Sequence, residues 1–173
     1  MKRIAFLVIA IAVAAGVVAS MAPAPGRAAQ GAAAIYLKEK PAGFRDWTLI
    51  SEAHEAGNIN SIGAVLGNDV ATKAYREGKL PFPDGSIIAA VHYKYVPSAE
   101  NDKIFGQDQS FVAGAPTNIQ FEVKDSKKYA ATGGWGFGHF NSDGTLGSDA
   151  VMKSCAPCHA KASRDFVFTQ YAP

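Results

Sequence analysis

Residues Ser86–Val96 read SIIAAVHYKYV. Ile87, Ile88, Val91 and Val96 are β-branched, Tyr93 and Tyr95 are aromatic, and the run holds neither glycine nor proline. Such residues fit a pleated, packed surface, so the segment reads as a strand. Strand periodicity puts Ile88, Ala90 and His92 on one face and Ile87, Ala89 and Val91 on the other. Lys94 shares the parity of Ala90 and lies about 13 Å along the strand from it.

Working outward from this strand, turns and short elements alternate. Upstream, GNDVATKAYREGKLPFPDG (Gly67–Gly85) places Asn68 or Asp69 as the N-cap of a helix over Val70–Glu77. Gly78 stops that helix, and Pro81, Pro83, Asp84 and Gly85 make a turn. Further upstream, Phe44–Ala56 opens as a strand or short extended segment. Downstream, Thr117–Asp125 alternates like a second strand, and DSKKYAA predicts a short helical turn. Gly133–Phe140, GGWGFGHF, is a third strand in which Trp135, Phe137 and His139 alternate with Gly134, Gly136 and Gly138. Glycines on one face would admit a flat macrocycle or a neighbouring backbone, against which stands ordinary aromatic packing. Ser148 or Asp149 caps a C-terminal helix, and Asp165–Tyr171 reads as a last strand or extended piece. Strands joined by short helices predict an α+β fold with a mainly antiparallel sheet. Four long amphipathic segments are missing, which excludes a four-helix bundle, and no internal repeat is seen.

The N-terminus carries an export signature. Lys2 and Arg3 precede the apolar stretch Ile4–Ala19, and SMAPAPGRAA supplies small residues for cleavage after Ser20 or after Ala28. An uncleaved anchor is the alternative, but the stretch is short for a comfortable span. The expected organisation is a signal peptide over residues 1–28, cleaved near 20–29, a disordered lead-in over 29–35, and one folded domain over 36–173. Cleavage removes three of the 17 basic residues, leaving 14 against 15 acidic ones. A near-neutral chain without charge runs offers nothing for nucleic acid. The expected location is the periplasm, with no membrane attachment after cleavage.

Cys155 and Cys158 are the only cysteines, and His159 follows them directly. Cys-x-x-Cys-His is the attachment pattern of c-type haem. Two thiols three positions apart on a helical turn can each form a thioether to a haem vinyl group, and the next residue puts an imidazole under the iron. Zinc would want about four ligands, and no second cysteine pair exists. A redox dithiol belongs at an early strand-to-helix junction, and a structural disulfide across two residues is strained. One covalent haem c, with His159 as axial ligand to the iron, is therefore expected.

The sixth iron position decides function. The three methionines are Met1, Met21 and Met152; the first two lie in the signal region, and Met152 sits on the proximal side three residues before Cys155. The His–Met iron of an electron-carrying cytochrome c is thereby nearly excluded. His54, His92, His139, a lysine or nothing remain; the favoured reading is a five-coordinate iron that binds NO or a related small nitrogen species.

These blocks resemble the cytochrome P-460 family, which includes the β-type cytochromes c′. The resemblance runs from Trp47 to Pro173 and rests on Arg45-Asp46-Trp47, GNDVATKAYREGKLPFPDGSI, VKDSKKYAATGGWGFGHF and CAPCHAKASRDFVFTQYAP. It implies a mainly β fold, a homodimer, and a c-type haem that the C-terminal helix packs against the sheet, with His159 as the sole protein ligand. Some members of that family oxidise hydroxylamine and carry a lysine bonded to the porphyrin; others bind NO or related gases. At the position of that lysine this sequence has Ala90, and an arginine and a glutamate of the oxidising type align with Gly63 and Gln120. These departures argue against the cross-link, and without a nearby carboxylate a bound hydroxylamine lacks a general base. The alternatives are a hydroxylamine- or NO-oxidising enzyme in which Lys94 forms the cross-link, with His139 a further catalytic candidate, and a bis-His electron carrier serving a periplasmic electron-transfer partner. The candidate distal wall is Ile88, Ala90, His92, Trp135 and Phe137.

Overall fold

The computed structural model describes residues 36–172. The expected signal peptide, its cleavage site and the lead-in fall outside the described residues. Five strands form one antiparallel sheet in the order of the chain: β1 Thr48–Glu55, β2 Ser61–Gly67, β3 Ile87–Pro97, β4 Phe111–Lys124 and β5 Trp135–Asn141. Two helices lie between strands, α1 Asp69–Arg76 after β2 and α2 Ala99–Phe105 after β3, and α3 Asp149–His159 follows β5. The α+β class with a mainly antiparallel sheet is as expected from the sequence.

β3 lies in the middle of the sheet, between β2 and β4. It is covered on both faces, which is why its first half is apolar without alternation. Ile88 packs on one side with Ile50, Val65, Tyr75, Phe82, Trp135, Phe137 and Val167, and α1 supplies Ala71 and Ala74 to the same cluster. Ala89 packs on the other side with Phe121 and Phe140, under Leu37, Phe44 and Trp47.

Asn68 joins three pieces at the start of α1. Its Oδ1 accepts from Ala71 N at 3.0 Å and Ile87 N at 3.1 Å, and its Nδ2 donates to Gly85 O at 2.8 Å. One side chain thus caps the helix, holds the turn and starts the central strand. α3 is capped by Ser148, whose Oγ accepts from Val151 N. Asp125 closes the turn after β4 by accepting from Lys127 and Lys128 N, and a 3-10 turn follows at Ala130–Thr132.

Two local readings are corrected. The segment from Phe44 begins as a 3-10 turn over Phe44–Asp46, and the strand starts at Thr48. Asp165–Tyr171 is not a strand: Asp165 (φ 52°) and Phe166 (φ 68°) are left-handed, and a single bridge joins Arg164 to Val167. Hydrogen bonds to the Asp165 carboxylate hold this shape, as set out below. Beside the glycines of β5 the space is packed by protein side chains. The Cβ positions of Gly136 and Gly138 are taken up by the Tyr129 ring and by Leu37. β2 and α2 are additional elements that the sequence reading left unassigned.

A Cβ on Gly136 would lie 2.3 Å from Tyr129 Cζ, and Tyr129 is buried. Gly136→Ala is expected to lower the stability of the domain by about 1–3 kcal/mol through overpacking. A urea midpoint equal to that of the parent would show that the ring can move aside.

Candidate haem site

One face of the sheet carries a cleft, with about 870 Å³ of empty space that includes solvent at its mouth. Ala53 and Glu55 come from β1, Gly63 and Val65 from β2, Ile88, Ala90 and His92 from β3, Gln120 and Glu122 from β4, and Phe137 from β5. α3 adds Cys155 and His159, and the C-terminal segment adds Phe168 and Thr169. The strand residues share a face because the registers Gly63–His92, Val65–Ala90, Ala90–Gln120 and Ile88–Glu122 are paired across the ladders.

His159 is held by three kinds of contact. Its Nδ1 lies 2.9 Å from Phe166 O. A carbonyl only accepts, so Nδ1 carries the proton and Nε2 keeps its lone pair free for a metal. The ring lies against Phe137 at 4.7 Å and Phe168 at 5.1 Å between centroids, which fixes its plane. Glu122 Oε2 stands 3.4 Å from the same Nδ1, is buried, and has no hydrogen bond of its own. Burial pushes the His159 pKa down, but Glu122 and the Phe166 carbonyl outweigh it, and the net shift is upward.

The Phe166 carbonyl is placed by a buried ion pair. Lys124 Nζ contacts both carboxylate oxygens of Asp165 at 2.9 Å and donates to Gly133 O at 3.0 Å. Asp165 Oδ2 also accepts from Phe82 N at 2.8 Å. These bonds hold Asp165 and Phe166 left-handed and turn the carbonyl of Phe166 onto His159.

Cys155 lines the cleft, with its Sγ 3.4 Å from Val151 O, and Cys158 is exposed on the next turn of α3. His92 lies across Gly63: a Cβ there would sit 3.0 Å from its Nδ1. Burial lowers the His92 pKa, against a smaller opposing effect of Glu55, so at neutral pH the ring is uncharged.

The structure brings Ile88, Ala90, His92 and Phe137 together with Cys155 and His159 on this cleft. It does not bring in four other candidates. Trp135 is fully buried beside Phe82 and the Lys124 ammonium. His139 is half-buried on the same face, in register with Gln120 and packed under Gly147. Lys94 is exposed and pairs with Ser61 beyond the cleft. His54 stacks on Tyr95 at 3.9 Å. The sequence reading missed Glu55 and Glu122, so the site does have carboxylates. Among the described residues, no group of three or more His, Cys, Asp or Glu side chains is arranged to hold a metal ion. An imidazole with its Nδ1 satisfied, on the wall of a largely apolar cleft, suits an iron whose in-plane ligands come from a macrocycle.

The family model for cytochrome P460 matches residues 41–169. The chain belongs to the cytochrome P460 family. Membership makes it a haem-binding, iron-containing protein. No curated protein matches the chain. The residues fit the group: one nitrogen ligand with its other nitrogen satisfied, a cysteine on the cleft wall, and apolar walls from Val65, Ile88, Ala90 and Phe137.

Two predictions follow from the site. Lys124→Met or Asp165→Asn alone leaves a buried group unpaired and is expected to cost about 3–5 kcal/mol, with the double variant losing less than the sum. A denaturant double-mutant cycle on the haem-loaded protein checks this, and additive losses would mean that the pair is not coupled. For His92, the folded state resists protonation while the unfolded chain binds a proton near pH 6.5. The His92-dependent part of stability is therefore expected to fall as pH drops below about 6.5. Comparing the denaturation midpoints of the parent and His92→Asn at pH 7.5 and 5.5 reads the effect; parallel behaviour of the two would contradict it.

Proposed function

We propose that this chain is an exported, periplasmic mono-haem cytochrome of the c type. Cys155 and Cys158 form thioethers to the haem, and His159 is its single protein ligand. The open side takes NO or a related small nitrogen species. The observation that carries this reading is the bonding of His159: its Nδ1 is engaged by Phe166 O, its ring is braced by two phenylalanines, and Cys155 stands on the wall of the same cleft.

Haem iron supplies the open coordination position at which a small neutral ligand binds. The protein residues supply the rest. Phe166 O holds the proton on Nδ1 and with it the ring orientation. Val65, Ile88 and Ala90 give apolar walls that disfavour water. His92, uncharged, has one donor and one acceptor nitrogen with which to meet a polar ligand.

A second reading, oxidation of hydroxylamine, gains support from Glu55, a carboxylate on the cleft wall that could serve as a base. It loses support at the cross-link, since Ala90 occupies the lysine position and Lys94 is exposed outside the cleft. A bis-His electron carrier would use His92, the other histidine on the cleft.

The absorption spectrum of the reduced, haem-loaded protein with and without NO separates the three. A broad high-spin Soret band that changes on adding NO is the expected outcome. Sharp low-spin bands that become high-spin in His92→Ala would establish the bis-His carrier instead. A strongly red-shifted Soret band would establish the cross-linked oxidase.

A further inference from the structure

Glu122 is a glutamate that the sequence reading did not single out, and the structure gives it an unusual position. It sits on β4 between Ile88 of β3 and Phe137 of β5, two apolar neighbours that give its carboxylate no polar partner. Its side chain is 13% exposed, and its Oε2 is buried without a hydrogen bond. Unpaired buried acceptors are uncommon because each forfeits its hydration. Among the described residues, the one cation-forming group within ion-pair distance of it is His159, at 3.4 Å from Nδ1.

Other groups share this neighbourhood. Burial raises the Tyr75 pKa, and the charge of Glu122 raises it further, with Arg164 acting the other way. Arg164 has a buried Nε with no hydrogen bond of its own, yet it makes no ion pair with Glu122. The carboxylate is therefore directed at the imidazole and is not neutralised by the guanidinium.

The Nδ1 proton points to Phe166 O at 2.9 Å and has the carboxylate oxygen beside it at 3.4 Å. A neutral carbonyl polarises such a proton weakly. A charged carboxylate in a place of low dielectric polarises it more strongly, and the electron density so released appears at Nε2, the nitrogen that faces a metal. Resting on the haem reading above, we propose that Glu122 is a positioning residue that acts through the Nδ1–H of His159 to strengthen Nε2 as a donor to iron and to favour the ferric state. Phe166 O orients the ring, and Glu122 sets its basicity. The two acceptors come from different elements, the carbonyl from the tethered C-terminal segment and the carboxylate from the sheet, so orientation and donor strength are set independently.

The test uses the haem-loaded protein. Resonance Raman spectroscopy of the reduced form reads the iron–histidine stretching frequency, and a redox titration reads the midpoint potential. The parent is expected to show a frequency above the range of imidazoles bonded to a carbonyl alone. Glu122→Gln is expected to lower that frequency and raise the midpoint potential, and Glu122→Asp to recover part of both shifts. If Glu122→Gln does not take up haem, the frequency of the parent decides alone: a value in the range of carbonyl-bonded imidazoles overturns the proposal. A loaded Glu122→Gln variant with frequency and potential equal to the parent overturns it too. A parent chain that carries no haem overturns the functional reading as well, whereas unmoved values in a loaded chain overturn only the role of Glu122.

Discussion

The buried pair between Lys124 and Asp165 is the constraint on which the site depends. Lys124 ends β4, and Asp165 lies beyond α3, so the pair fastens the C-terminal segment to the sheet across 41 residues of sequence. It also gathers Phe82 N and Gly133 O, which belong to two further turns. Two desolvated charges gain little net stability over a well-packed apolar pair, and their worth lies more in specifying one arrangement. Here the arrangement specified is the left-handed course of Asp165 and Phe166, and through it the carbonyl that faces His159. The far end of the segment is tied separately, where Ala172 N donates to Ile50 O at the irregularity between Leu49 and Ser51. A bulge frees that carbonyl from the ladder, and the chain terminus takes it up. Between the two ties, Phe168 and Thr169 close one wall of the cleft.

Much of this was legible in the sequence because it is local. Ser148, Gly78 and the Pro-Asp-Gly turn act within a few residues of where they stand, and Cys155, Cys158 and His159 carry their chemistry in their spacing. The central strand announced itself through β-branched residues. β2 did not, since Gly63 and Gly67 dilute its propensity. Both glycines are required by neighbours distant in sequence: a Cβ on Gly67 would lie 3.1 Å from Ile50, and one on Gly63 would press on His92. The proximal partners of His159 were illegible for the same reason. Glu122 reaches the imidazole because α3 packs on β5, the strand next to β4, and Phe166 reaches it through an ion pair. One signal was available: Gln120, Glu122 and Lys124 fall at alternate positions on one strand, a row of polar groups on a face that also carries apolar residues. A polar row facing a core needs a partner for each member, and such a row marks a strand that lines a site.

The two ends of the cleft differ in a way that bears on reactivity. Glu122 and Phe166 O surround the imidazole end. At the other end, along β2 and β3, small residues prevail: Gly63 and Ala90 stand where the resemblance to hydroxylamine-oxidising members would place an arginine and a lysine. The room left by Gly63 is taken by the ring of His92, which is uncharged at neutral pH because it is buried. A long basic side chain at either position would bring a fixed charge to the ligand. A neutral imidazole over a glycine brings a dipole and one exchangeable proton instead. The one carboxylate beside it, Glu55, could compensate a cation, but no lysine or arginine lines the cleft, so the wall disfavours anionic ligands. The proposed small uncharged ligand fits such a wall, which carries a neutral imidazole and one carboxylate but no lysine or arginine.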